Sequence, residues 1–299
     1  MDFATPSTPQ KPQKASSGPR IGLALGGGGA RGFSHIHVIE AMVEMGLRPS
    51  LMAGTSIGAV VATGFATGID AKEMVDYAER LVGSHKHALK LLISRRTLGI
   101  LELFDIKRSG GALLKGDAVL ELALPELLQH SFSTLTIPTR VVATDFSAMC
   151  QKVFDEGPVM PALAASIAMP SIISPSKING RFYIDGGMTN PLPHDVIEND
   201  VDIVVACDVN GVRPTMINTA PTTAEVLFGS IQITLHVLTE TKLNKHPPTV
   251  LVQPPIEDFR LLDFFKLKQI LKTTLPIKED VKRKLDAAIT LYEQQKTSS

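Results

Sequence analysis

The sequence contains only two cysteines, Cys150 and Cys207, and neither stands at a spacing that fits a metal site. A disulfide-stapled scaffold is excluded, and a chain of 299 residues is long enough to bury a core without one. Both cysteines sit among apolar, β-branched neighbours and are expected as reduced, buried thiols, which fits a reducing compartment. Net charge is absent too. Thirty basic side chains balance thirty acidic ones, so no electrostatic footprint for nucleic acid arises at whole-chain level. No uninterrupted apolar run reaches the roughly 18 residues that a membrane-spanning helix needs. The opening stretch, MDFATPSTPQKPQKASSGPR, lacks the apolar segment of a secretory signal. Residues 1–19 read as a disordered tail. There is no internal repeat. The expectation is a cytoplasmic protein whose contact with the inner membrane surface, where it occurs, is peripheral.

Residues 20–299 read as an α/β domain with a motif-bearing core over about 20–215 and a helical extension over 216–299. The apolar run at 20–25 predicts a buried strand. Helical spacing of Ile36, Ile39 and Val43 predicts a helix over 33–45, stopped by Gly46. A second strand is expected over 47–53 and a second helix over 59–67, ended by Gly68. This β-α-β-α alternation predicts a central, mostly parallel sheet with helices on both faces, a three-layer α/β/α arrangement. Further helices are expected over 71–92, 117–128 (interrupted by Pro125), 161–168, 226–243 and 278–295. Strands are expected over 137–145, 181–184, 201–209 and 249–253, with 151–154 pairing beside 137–145.

Between the first strand and helix stands Gly26-Gly27-Gly28-Gly29-Ala30-Arg31-Gly32. Part of it fits G-x-G-x-x-G, the dinucleotide fingerprint. That motif also wants a carboxylate about 20 residues on to hold the ribose, and Ala53-Gly54-Thr55 supplies none. A phosphate loop would need a lysine after its last glycine, where Phe33 stands. An oxyanion hole remains: successive glycines let N–H groups converge at a helix N-terminus, where negative charge is favoured. A plain strand-to-helix turn needs fewer glycines than these.

Gly54-Thr55-Ser56-Ile57-Gly58 fits G-x-S-x-G, with a strand before it and a helix after. The nucleophile of such an elbow sits at a strained corner, and the flanking glycines make room for it. A nucleophile and an oxyanion hole are two required parts of one site. The serine still needs a base. Of eight histidines, His194 in Asn190-Pro191-Leu192-Pro193-His194 is the nearest candidate. The alternative is Asp185 in Asp185-Gly186-Gly187, at the end of a strand, where parallel sheets build their sites. An Asp-Gly pair is also a common turn device, and composition does not choose between the two.

Four motifs in order carry a family resemblance over roughly residues 20–200: GGGGARG at Gly26 to Gly32, GTSIG at Gly54 to Gly58, ASIAMP at Ala165 to Pro170, and DGG at Asp185 to Gly187, followed by Asn190-Pro191. The sequence resembles the patatin-like phospholipases, in particular the bacterial branch related to neuropathy target esterase. The resemblance implies a patatin-like fold and a Ser-Asp dyad, with Ser56 attacking, Asp185 as its base, Gly26, Gly27, Gly28 and Gly29 as oxyanion loop, and no metal or cofactor. Gly32, Gly54, Gly58, Gly186 and Gly187 would support the loop and turns. Arg31 would steady the loop or meet a lipid phosphate. The implied substrate is a phospholipid or lysophospholipid ester. An acyltransferase using the same site and a non-catalytic lipid-binding protein on the same fold are the alternatives. For contact with lipid, the basic, leucine-rich segment 85–104 and the segment 259–271 are candidates, though each composition also suits packing on the core.

Overall fold

The computed structural model describes residues 18–82, 104–105, 113–124, 129–210 and 220–298. The tail before residue 18 lies outside them. So does most of the basic segment 85–104.

The chain opens with β1 (Ile21–Leu25), and a 3-10 turn (Gly29–Ser34) leads into α1 (His35–Glu44). Then come β2 (Leu51–Thr55), α2 (Ile57–Ala66) and α3 (Ala71–Val82). A short hairpin, β3 (Phe104–Asp105) with β4 (Leu113–Leu114), precedes α4 (Gly116–Ala123). The middle of the chain holds β5 (Thr139–Asp145), β6 (Cys150–Phe154), α5 (Val159–Ser166), β7 (Ser176–Ile178) and β8 (Arg181–Asp185). The last part holds β9 (Ile203–Cys207), α6 (Thr223–Lys245), β10 (Val250–Val252), α7 (Leu267–Thr274) and α8 (Ile277–Thr297). Gly46 and Gly68 both adopt positive φ at the ends of their helices, as helix stops do.

The main sheet runs β10-β9-β1-β2-β5-β8-β7, with β6 also paired to β5. The five strands from β10 to β5 are mutually parallel. The apolar strings IGLAL and IVVAC suit strands buried on both faces, and every residue of β1 and β9 is buried. One face packs Leu23, Leu25 and Met52 against Val38, Met42 and Phe65 of the helices and against Val281 and Leu285 of α8. The other packs Ala24, Ala53, Val204 and Ala206 against Leu192, Ile197 and Leu243.

The mostly parallel sheet is as expected, with antiparallel strands added at one end, and one expectation, that both cysteines are buried, is corrected. At that end β6 and β8 run antiparallel to β5, and β7 antiparallel to β8. Short turns join β5 to β6 and β7 to β8, and a hairpin can join only antiparallel neighbours. Cys207 is buried, but Cys150 is exposed, because it opens β6, whose first residues face solvent.

Candidate active site

The elbow is built by close backbone approach. Ser56 sits between β2 and α2 with φ 54° and ψ −125°, a positive-φ conformation that costs a non-glycine residue on the order of 1–3 kcal/mol. The corner is held because α2 lies hard against β1: a Cβ at position 58 would stand 2.1 Å from the Leu25 carbonyl oxygen and 2.6 Å from that of Gly26. A Cβ at Gly54 would likewise meet the Ala59 Cα at 2.3 Å. Gly58→Ala should therefore push α2 off the sheet and lower stability by about 1–3 kcal/mol. An unchanged melting temperature in a thermal unfolding scan would contradict that packing.

Ser56 is part-exposed, and its hydroxyl donates to Asp185 Oδ2 at 2.6 Å. The strand register explains how residues 129 positions apart meet. Along β5, Val142 pairs with Thr55 of β2 and the next residue, Ala143, pairs with Asp185 of β8. Strand β6 takes the opposite edge of β5 through this whole stretch. Strands β2 and β8 therefore share one edge of β5, run toward each other, and present their C-terminal ends head to head. A site at the C-terminal ends of parallel strands is the rule; here one of the two contributing strands is reversed.

The Asp185 carboxylate is buried. Its Oδ1 accepts from the Gly187 N–H at 2.7 Å. Burial pushes its pKa up to about 6, against the pull of the hydrogen bonds from Ser56 and Gly187. A carboxyl of that kind is ionised at neutral pH yet basic enough to take a proton from a hydroxyl.

The glycine loop lies beside the serine; a Cβ on Gly27 would touch the Ser56 Cβ at 3.3 Å. Its four N–H groups are not equivalent. Gly26 N–H donates to the Cys207 carbonyl at 3.0 Å and Gly27 N–H to that of Pro191 at 2.9 Å. These two glycines fix the loop, which corrects the expectation that all four donate to an oxyanion. Among the described residues nothing takes the N–H of Gly28 or Gly29. The backbone bonds that position the loop consume the first two donors and leave the next two.

Arg31 is buried, and its Nε donates to the Phe259 carbonyl at 2.8 Å. Of its two expected roles the geometry fits the anchor: the loop is tied to the segment 259–261, and Ala30 N–H reaches the Leu261 carbonyl at 2.8 Å. His35 bonds through Nε2 to the Gly26 carbonyl at 2.8 Å. Burial lowers its pKa to about 4, so the ring is neutral and Nε2–H donates. His194 is bound by the carbonyls of His246 and Leu192, which removes it as a partner for Ser56. Among the described residues no group of three His, Cys, Asp or Glu side chains is arranged to hold a metal.

Two supports of the site have no assignment in the sequence reading. The Ser166 hydroxyl accepts the Ser56 N–H at 2.8 Å and donates to the Val142 carbonyl at 2.7 Å. It thereby pins the corner to β5. Its motif, ASIAMP, is visible in the sequence, but only the fold shows what the hydroxyl touches. The second support is the turn 190–192. The Asn190 carbonyl accepts from Thr55 Oγ1 at 2.8 Å, the Pro191 carbonyl takes Gly27 N–H, and Lys242 of α6 holds the turn through Asn190 Oδ1 and Asp195. Nothing in the spacing of Lys242 announces that contact.

Residues 23–197 match the patatin-like phospholipase family profile. That stretch is more than half of the chain and contains the elbow, the glycine loop and Asp185. The chain belongs to the patatin-like phospholipase family. Its relatives tie it to the branch of neuropathy target esterase. An uncharacterized NTE family protein of Mycobacterium bovis is 37% identical over 199 residues, covering 66% of this chain and 51% of its own length. The neuropathy target esterase of Drosophila melanogaster is 28% identical over 198 residues, covering 64% of this chain and 13% of its own. The chain thus spans about half the length of the mycobacterial relative. Human GIVD cytosolic phospholipase A2, solved in complex with methyl gamma-linolenyl fluorophosphonate, superposes with a TM-score of 0.50 at 11% identity over 92% of this chain and 60% of that one. That likeness establishes the patatin-like α/β fold, a mixed sheet flanked by helices.

Proposed function

We propose that this patatin-like protein is a serine acyl hydrolase that cleaves carboxylic esters of phospholipids or lysophospholipids by a Ser56-Asp185 dyad. The observation that carries this reading is the 2.6 Å hydrogen bond from a strained, part-exposed Ser56 to a buried carboxylate. Asp185 Oδ2 takes the proton as Ser56 Oγ attacks the ester carbonyl carbon. The oxyanion that forms lies by the free N–H groups of Gly28 and Gly29, preorganised donors that need no reorientation as charge develops. Collapse expels the alcohol, which recovers the proton from Asp185, and leaves an acyl-Ser56 ester. Water, deprotonated by the same carboxylate, then attacks the acyl carbon, the acyl–Oγ bond breaks to release the fatty acid, and Ser56 Oγ recovers the proton from Asp185. No cofactor enters any step. Membership of a phospholipase family supports a lipid ester over a short soluble one.

The test is to treat the full chain with a fluorophosphonate probe and map the adduct by mass spectrometry, then to analyse products from phospholipid and lysophospholipid micelles. A single adduct on Ser56 and release of free fatty acid are expected. An adduct elsewhere, or none in a folded sample supplied with micelles, overturns the reading. An acyl group recovered on an acceptor other than water would move the assignment to transfer.

A further inference from the structure

Helix α6 carries no Asp, Glu, Lys or Arg from Val226 to Thr239, yet this stretch is not buried. An α-helix turns about 100° per residue. Leu235 and Thr239 therefore share the inward side, and both are buried. The opposite side presents Val226, Ser230, Ile233, Thr234 and Val237, with Leu227 at its margin. Ile233 is 64% exposed, Val237 55%, Val226 51% and Leu227 45%. The outer face of a helix in water ordinarily carries charged and polar residues. This one carries aliphatic side chains and hydroxyls, and the hydroxyls are already satisfied. Ser230 Oγ donates to the Val226 carbonyl at 2.8 Å and Thr234 Oγ1 to that of Ser230 at 2.9 Å. One turn on, Thr241 Oγ1 donates to the Val237 carbonyl at 2.7 Å. A hydroxyl bonded back to its own helix leaves no donor unmet in an apolar medium, the condition that lipid imposes on polar groups.

The same stretch stands at the mouth of the site. Leu235 packs on Gly187, two residues past Asp185, where an added Cβ would lie 3.0 Å from its Cδ2. Because α6 lies between the C-terminal end of β9 and the start of β10, a strand parallel to β9, its earlier residues rise past the dyad. From Leu235 to Val226 that rise is about 13 Å at 1.5 Å per residue. Glu225, just before Val226, feels the charge of Arg260. Arg260 lies within the segment 259–261 that ties down Ala30 and Arg31, and Leu262 and Phe265 just beyond it are exposed.

We infer that the outer face of α6 from Val226 to Val237, with Leu262 and Phe265, is a membrane-docking surface that seats the mouth of the active site in the acyl layer of a lipid surface; this rests on the acyl hydrolase reading above. A protein partner is the poorer fit, because protein interfaces carry about one hydrogen bond per 100–200 Å² and this face offers no free side-chain donor from its hydroxyls. The α6 part of this surface carries no charge and binds by apolar burial, and the charges at its margin, Glu225, Arg260, Asp263 and Lys266, sum to zero. Its affinity should be insensitive to anionic lipid and to salt, unlike that of a basic interfacial helix.

The experiment compares the unaltered chain with an Ile233→Glu/Val237→Glu variant, whose changes lie on an exposed face and outside the catalytic machinery. Flotation with uncharged phosphatidylcholine vesicles reads docking. Hydrolysis of dissolved p-nitrophenyl butyrate reads the dyad, and light scattering reads the oligomeric state. The unaltered protein should float equally at low and high salt. The variant should lose vesicle partitioning by on the order of ten-fold or more while hydrolysing the dissolved ester at the same rate. Docking is overturned if the unaltered protein stays in solution, if the variant floats equally well, or if the variant only dissociates a dimer. A protein that floats but hydrolyses no dissolved ester counts against the dyad and not against the surface.

Discussion

Ser56→Ala should lower ester hydrolysis by about six orders of magnitude in kcat, the scale seen when the nucleophile of a serine hydrolase is removed. The change deletes one oxygen and no backbone contact. The bond from the residue 56 N–H to Ser166 Oγ does not involve the lost side chain, and alanine meets the same positive φ that serine already tolerates. The circular dichroism spectrum should be unaltered, and only chemistry should disappear. The loss also removes the hydrogen bond from Ser56 Oγ to Asp185, which helps to keep that carboxyl ionised. Steady-state hydrolysis of a lysophospholipid decides it; residual turnover of even about one part in a hundred, from a preparation free of contaminating esterase, sinks the covalent mechanism.

Asp185→Asn should reduce hydrolysis by roughly 10²–10⁴-fold, the range attributed to a general base, and should change two pH dependences at once. In the unaltered protein kcat/KM should rise with pH through about 6 and then level, since the base must be ionised. The variant should lose that limb. Stability moves the other way. The folded-state pKa of Asp185 lies above its ordinary 3.8, so the folded state holds its proton more tightly than the unfolded one. Its contribution is fully present below the ordinary 3.8 and is lost as pH rises through about 6. At neutral pH the ionised carboxylate is thus a destabilising feature, worth about 3 kcal/mol by linkage. The asparagine amide carries no charge, and its carbonyl oxygen can still accept the Gly187 N–H. The variant should therefore unfold at a higher temperature than the unaltered protein at a pH of about 7.5, well above the folded-state pKa, and at nearly the same temperature at a pH of about 4. Equal melting temperatures on the alkaline side would show that the buried carboxyl carries no such strain.

Arginine, glycine and histidine show how local signals and long-range contacts divide the work. The elbow motif is legible because the constraint is local: Gly54 and Gly58 are required within two residues of the corner they accommodate. Strands β1 and β9 are legible because apolar runs of five residues record burial on both faces. Arg31 has its partner 228 residues away, at Phe259, and its spacing says nothing of an anchor. His194 has the composition of a catalytic base and the geometry of a structural one. Strand β7 escapes the sequence reading because it is three residues long, too few for periodicity to register.

By itself, the order of four short motifs determined the family and the fold class, and it singled out Ser56 as the proposed nucleophile with Asp185 as its proposed partner, since each depends on residues within a few positions of one another. Tertiary structure alone decided that β2 and β8 meet head to head on one edge of β5, that Ser166 and the turn 190–192 hold the corner, that Gly26 and Gly27 tie the loop down while Gly28 and Gly29 keep free donors, and that an uncharged helix face stands open beside the site. The physical reason is common to all four. A hydrogen bond or an exposed face is a relation between distant segments, and the chain fixes it only when the sheet closes.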